Sequence, residues 1–350
     1  MHGNGRVSRR DALRATAGLG VVGLAGCLDM LGGDSVDMTV GSSSSGSSTY
    51  GNSQAIQRVV DEHSDSVSFI TQDAGGDPQS IRLYADDELN SYSAGNYILN
   101  QALTSSGPFE EPDDVDTFPQ HGFSHLSLNL YWMALEDSDI ETTDDLFGED
   151  IYALPAGWGL RAMTEEMYGD AGLWEELEEG VVNFETSEAA SALEEGRVEA
   201  FVTYTSNFTE LPSWAVEVDA RNDVRLLEQT DEFVQAAEEF AGAGYDEMDE
   251  VGGWDQEIGG EDFPNHTWTE TYPYLFSPDI PADALYEVMD ICHNHYESMQ
   301  EANPTILDYG DPENLSFALV HTDEVPVHPG AADWYEEHGV WDDSWTRGDE

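Results

Sequence analysis

The 350-residue chain carries 73 acidic and 11 basic residues, the latter all Arg, for a formal net charge of −62. That balance excludes nucleic-acid phosphates as a partner, and a chain without lysine cannot build a P-loop. Apolar residues at 39% and aromatic ones at 11% exclude disorder by low hydrophobicity, so the charge belongs to a folded surface suited to molar salt, where the screening length falls to about 3 Å.

The chain opens with Ser8-Arg9-Arg10-Asp11, an apolar run from Ala15 to Ala25, and Leu24-Ala25-Gly26-Cys27. A charged region, a short apolar region and small residues before a cleavage point make a secretory signal of the twin-arginine kind. The last four residues resemble a lipobox, which implies a lipidated Cys27 at the mature N-terminus and one free thiol, Cys292. Loss of residues 1–26, with four Arg and one Asp, takes the net charge from −62 to −65. Residues 28–36 then read as a tether to the outer face of the membrane.

Alternation at Asp37–Val40 predicts a strand, and Ala55, Ile56, Val59 and Val60 at helical spacing predict a helix. Between them lies the Gly/Ser/Thr stretch Val40–Ser53. Strand, small-residue loop and helix N-terminus form an anion cradle, because the first N–H groups of a helix lack intrahelical partners and carry partial positive charge. Ser43, Ser44, Ser45, Gly46 and Ser47, with Thr49 and Tyr50, are the candidate ligand contacts here. The same composition also suits a flexible tether. A second strand at Val67–Thr71, the turn Asp73–Pro78 and a helix at Gln79–Tyr84 continue a parallel α/β pattern. Asn90–Leu103 reads as a polar segment entering a helix.

Leu128–Leu135 predicts an apolar strand crossing between lobes. Ile151–Leu154 is a strand, Pro155–Gly159 a second Gly-containing loop, and Leu160, Met163, Met167 and Tyr168 a helix: a second cradle, with Gly157, Trp158, Gly159 and Arg161 as candidates. Arg161 suits either a ligand carboxylate or an ion pair with Glu165 four residues on. Gly157-x-Gly159-x-x-Ala162 is a loose dinucleotide fingerprint that lacks its third Gly and is crowded by Trp158, so no cofactor is expected. Phe201–Thr205 is a strand. Asp231–Glu261 reads as a solvated helix and loop without calcium-loop spacing. Thr271–Phe276 is a strand, and a helix follows with Leu285, Val288, Met289 and Cys292 on its core face. His293 and His295 do not share a helix face, so no metal site is expected. His328, in Val325-Pro326-Val327-His328-Pro329-Gly330-Ala331, reads as a structural histidine in an exposed loop.

Taken together, Val40–Tyr50, Glu62-His63, Val67–Phe69, Gly75-Gly76, Ile81-Arg82-Leu83, Asp144–Ile151 and the terminal Val325–Ala331 with Trp334-Tyr335 resemble the TAXI family, the extracytoplasmic solute-binding subunits of TRAP transporters. The resemblance implies a two-lobed, periplasmic-binding-protein-like α/β fold with a ligand cleft between lobes, and places Thr203, Tyr204, Thr205 and Ser206 near the ligand. Lobe I would take residues 37–127 and 271–345, and lobe II residues 128–270. It further implies a non-enzyme that captures a small organic anion (glutamate, a 2-oxo acid or a dicarboxylate) for a TRAP-type membrane permease. An exported hydrolase using paired carboxylates, or a cofactor-carrying lipoprotein, is the alternative; neither a Gly-x-Ser-x-Gly elbow nor His-Glu-x-x-His occurs.

Overall fold

A computed structural model describes residues 35–43, 47–110, 115, 117–240, 242–248, 251–259 and 265–349. The signal segment, Cys27, the tether up to residue 34, and Ser44, Ser45 and Gly46 lie outside the described residues.

The first half runs β1 (Val36–Ser42), α1 (Ser48–His63), β2 (Val67–Asp73), α2 (Asp77–Ala85), β3 (Ser91–Ser93), α3 (Asn96–Leu103) and β4 (Gln120–Leu135). There follow β5 (Ile151–Tyr152), α4 (Gly159–Asp170), α5 (Trp174–Leu177), α6 (Ala189–Glu194), β6 (Ala200–Ser206), α7 (Ser213–Arg221), β7 (Val224–Leu226) and α8 (Asp231–Glu239). The chain closes with β8 (Gly244–Met248), β9 (Asn265–Phe276), α9 (Ala282–Ala302) and α10 (Pro329–His338).

This is the two-lobed α/β fold expected. Its sheet has the order β2-β1-β3-β9-β4-β6-β5, with β7 paired to β4 and β8 to β9. The pattern is mixed rather than parallel. β1 pairs in parallel with β2 and β3, and β5 with β6, but β4 and β9 run antiparallel to each other and to β6 and β3. The long strands β4 and β9 lie at the middle of the sheet, and each passes unbroken through an expected lobe boundary, at residues 127/128 and 270/271. Both expected boundaries therefore fall within continuous strands rather than in loose linkers.

Each lobe buries its own apolar set. Met38, Val40, Ile56, Phe69, Leu285 and Trp334 pack the β1–β2 side under α1, α9 and α10. Trp132, Tyr152, Met163, Tyr168, Phe201 and Phe233 pack the other side. The second cluster also takes in Tyr97 and Leu99 of α3, which ties the first lobe to the second.

Three expectations need correction. Residues 231–261 are not wholly solvated: α8 is amphipathic and buries Phe233, Ala236 and Ala237, while β8 adds a strand to β9. The strands at the lobe crossing are longer than read, β4 by eight residues before Leu128 and β9 by six before Thr271. His328 is fully buried rather than in an exposed loop. It caps α10 by accepting from Gly330 N at 3.2 Å, and its Nε2 lies 3.0 Å from the Ile280 carbonyl. Burial pushes its pKa down to about 4, so at neutral pH it is an uncharged structural clamp. Cys292 is buried on the core face of α9, and burial pushes its thiol pKa up.

Candidate functional site

A cavity of about 1070 Å³ lies where the two strand–loop–helix units meet. Ser43, Ser47 and Thr49 line it from the first unit, and Gly157, Trp158 and Gly159 from the second. The small-residue loop is short enough that β1 delivers the chain directly into α1. Ser47 caps that helix by accepting from Tyr50 N at 3.2 Å and shares a hydrogen bond of 2.9 Å with Thr49 Oγ1. Tyr50 does not line the cavity; its hydroxyl accepts from Gln54 Nε2.

The second unit is arranged differently. Gly157 takes φ +91, a conformation that L side chains rarely adopt. The turn delivers Trp158 as the N-cap of α4 with no side-chain cap. The first N–H groups of α4 therefore lack an intrahelical acceptor where Gly159 and Leu160 border the cavity. Trp158 stays 36% exposed, a large apolar ring at the cavity mouth.

Arg161 turns away from this space. Its Nε donates to Glu165 Oε1 at 2.6 Å, its Nη1 approaches the carbonyls of Ala153 and Leu154, and its guanidinium lies 4.8 Å from the Trp174 ring centroid. The i,i+4 pairing wins because it keeps a buried cation neutralised at all times. Arg161→Ala is expected to lower the unfolding midpoint while leaving ligand affinity unchanged, as read by calorimetry on the folded variant. Thr205 and Ser206 are also outside the lining. Thr205 Oγ1 bonds Tyr131 OH at 2.8 Å, and Ser206 N donates to Glu210 O. Strand alternation gives the cavity Tyr204 instead.

Apart from Tyr204, which the resemblance puts near the ligand, the cavity holds residues not anticipated from the sequence. Tyr97, Tyr204, Tyr272 and Trp214 add aromatic walls, and Asp77 and Glu270 add two carboxylates. Asp77 is 8% exposed and Glu270 3%. Both converge on the N-terminus of α3. Gly95 N donates to Asp77 Oδ2 at 3.1 Å, and Tyr97 N donates to Glu270 Oε1 at 3.1 Å. Ser43 Oγ adds a 2.7 Å bond to Asp77 Oδ1. Gly95 is required for this approach: a Cβ there would fall 1.8 Å from Glu270 Oε1. Burial raises the pKa of Asp77, against the lowering effect of its bonds from Ser43 and Gly95. Burial also raises that of Glu270 well above the ordinary carboxylate range, opposed by the Tyr97 N–H and reinforced by the charge of Asp77.

None of the seven Arg beyond the signal segment lines the cavity. Among the described residues neither Asp77 nor Glu270 has a cationic partner. Tyr97 also links the two lobes, since its hydroxyl donates to Glu166 Oε2 on α4 at 2.6 Å.

One signal could have found Glu270. Trp268, Glu270, Tyr272 and Tyr274 alternate along one strand face, and an acid within a buried aromatic stripe is out of place unless it has a task. Among the described residues no group of three or more His, Cys, Asp or Glu is arranged to hold a metal ion.

A family model described as NMT1-like matches residues 40–339. No curated protein matches the chain. Among solved structures, the chain is similar to the periplasmic aliphatic sulphonate binding protein SsuA from Escherichia coli. Identity is 12%, coverage 87% of this chain and 93% of that one, and the TM-score 0.43. A putative periplasmic sulfonate-binding SsuA from Methylobacillus flagellatus KT gives 12% identity, 91% and 98% coverage, and a TM-score of 0.48. A TctC solute binding protein from Polaromonas gives 11%, 80% and 88%, and 0.44.

Proposed function

The chain belongs to the NMT1-like family, and from that premise we propose that it is the solute-binding component of a membrane transport system, working with a TRAP-type permease. It binds its solute in the cavity between the lobes and releases it unchanged. The observation that carries this reading is the convergence of two separate strand–loop–helix units, through Ser43, Ser47 and Thr49 and through Gly157, Trp158 and Gly159, on one cavity. Two lobes hinged on paired strands can close over a ligand there and bury it. The cavity volume of about 1070 Å³ is that of a small-molecule site.

The chain is exported and held at the outer membrane face through Cys27, where such a component meets its permease. The expected organic anion has one docking point, the uncapped N-terminus of α4. It does not account for Asp77 and Glu270. The family reading is tested by incubating the protein, in molar KCl, with a fractionated small-molecule extract and identifying what it carries by mass spectrometry after denaturation. One small molecule released intact, near one per chain, supports capture. Conversion of glycosides or esters by the purified protein, or no retained solute from any fraction, overturns it.

A further inference from the structure

Asp77 and Glu270 are two carboxylates in one cavity, nine-tenths or more buried, and facing no cation among the described residues. A buried acid usually has a partner, because transfer from water costs an isolated charge several kcal/mol. Here the partners are three hydrogen-bond donors, and they leave carboxylate lone pairs over. Asp77 takes one bond on each oxygen, and Glu270 is held through the single Tyr97 N–H, at 3.1 and 3.4 Å to its two oxygens. The N-terminus of α3, the natural seat for an anionic ligand on this side, is already filled by the protein's own carboxylates. Tyr97, Tyr204, Tyr272, Trp214 and Trp158 line the same cavity. Carboxylate acceptors inside an aromatic enclosure form a cation site: the rings present negative faces, and the acids accept N–H bonds.

We propose that Asp77 and Glu270 form an ammonium subsite, and that the solute carried by this protein bears a protonated primary or secondary amine. The inference rests on the solute-binding reading and names the ligand class within it. A wholly anionic 2-oxo acid or dicarboxylate has nothing to offer these two acids. A ligand that also carries a carboxylate can set it against the open N-terminus of α4, on the opposite unit of the cavity. Such a ligand bridges the lobes and favours their closure. The depth of the site makes it insensitive to the molar salt that the surface demands, since buried pairs are screened far less than exposed ones.

The pH behaviour supports the same reading. Glu270 is faced by Asp77 from α2, by the Tyr97 N–H and hydroxyphenyl group from α3 and by Tyr272 on its own strand, which Tyr204 of β6 in turn neighbours. None of these carries positive charge at neutral pH. With the cavity empty, burial favours the protonated form of both carboxyls, and an incoming ammonium favours the charged form. Amine affinity therefore rises with pH across the raised carboxylate range, and binding releases protons to the buffer.

The test uses two matched series in molar KCl at pH 7.5: putrescine, 4-aminobutyrate and succinate; and phenethylamine, phenylalanine and 3-phenylpropionate. Each is titrated calorimetrically into the wild type, Glu270→Gln and Asp77→Asn. Near-UV circular dichroism checks that each variant folds. Binding confined to members with a protonated nitrogen, and weakened about 30-fold or more by either substitution, is the expected result. The inference is overturned if succinate or 3-phenylpropionate binds as well as its amine counterpart, if both variants keep wild-type amine affinity, or if no member of either series binds. In each of those cases the solute-binding reading stands or falls separately, on the extract experiment.

Discussion

Transferred from molar KCl into buffer below about 0.1 M salt, the protein is expected to lose its native far-UV and near-UV circular dichroism entirely. The cause is self-repulsion. A formal charge of −62 on 350 residues sits almost wholly at the surface. The screening length grows from about 3 Å at 1 M to about 10 Å at 0.1 M and about 30 Å at 0.01 M, so each carboxylate begins to feel many others rather than its nearest neighbour. The few cations cannot offset this. Arg197 pairs with Glu188 and Glu195, Arg221 with Glu194 and Glu217, and Arg347 with Asp333 and Glu336. These are exposed pairs, worth up to about 1 kcal/mol each, in a chain of 73 acidic and 11 basic residues. Restoring KCl should restore the spectrum. A protein that stays folded near zero salt would show that the acidic surface is not a salt adaptation.

The second large effect concerns the cavity. In molar KCl, ligand-free Glu270→Gln is expected to melt at nearly the wild-type temperature near pH 5 and about 2–4 °C above it near pH 8. The sign follows from the raised native pKa of Glu270. A raised carboxylate contributes its full stability below the unfolded-state value and loses it as pH rises toward and through the folded-state value, because the unfolded chain releases its proton first. Wild-type stability therefore falls across that window, by about 1–2 kcal/mol for a buried acid left without a partner. Glutamine keeps the bond from Tyr97 N without a charge to desolvate. Saturating amine should cancel the difference by stabilising the wild type alone through mass action. Thermal scans at four pH values read both effects. A difference that is flat with pH, or a variant less stable than the wild type at every pH, would show that Glu270 is not a strained, ligand-ready acid.

The gain in stability on removing Glu270 would also mark it as functional. Binding sites often hold groups that the fold would be steadier without. His328 and Cys292 are the contrast. Both are buried and both have shifted pKa values, but neither borders the cavity, and the hydrogen bonds of His328 run to backbone atoms on both sides of its turn.

The local modules were legible because their signals are local. Alternation marked β1 and β2, helical spacing marked α1 and α9, and Gly157 before the apolar positions of α4 marked a helix start. Of the small-residue loops singled out in the sequence, Ser43, Ser47 and Thr49 and Gly157, Trp158 and Gly159 line one cavity. Arg161 could not be resolved by spacing, since i+4 pairing and ligand contact begin from the same position on the helix. The burial of α8 and the pairing of β8 were hidden by their acids, which occupy the outer face of elements whose inner face is packed.

What the sequence by itself determined is therefore the charge balance, the order of most strands and helices, and two loops whose residues line one cavity. These depend on composition and on neighbours a few residues apart. The tertiary structure decided the chemistry of the cavity. Asp77, Gly95 and Glu270 are separated by 18 and 175 positions in the chain, and nothing in the sequence alone sets these two acids apart as a pair from the others among the 73. They meet because β9 returns antiparallel beside β3 and β4 and carries Glu270 to the N-terminus of α3. Burial there, a property of the assembled sheet and not of any segment, raises the pKa values of two otherwise ordinary carboxylates.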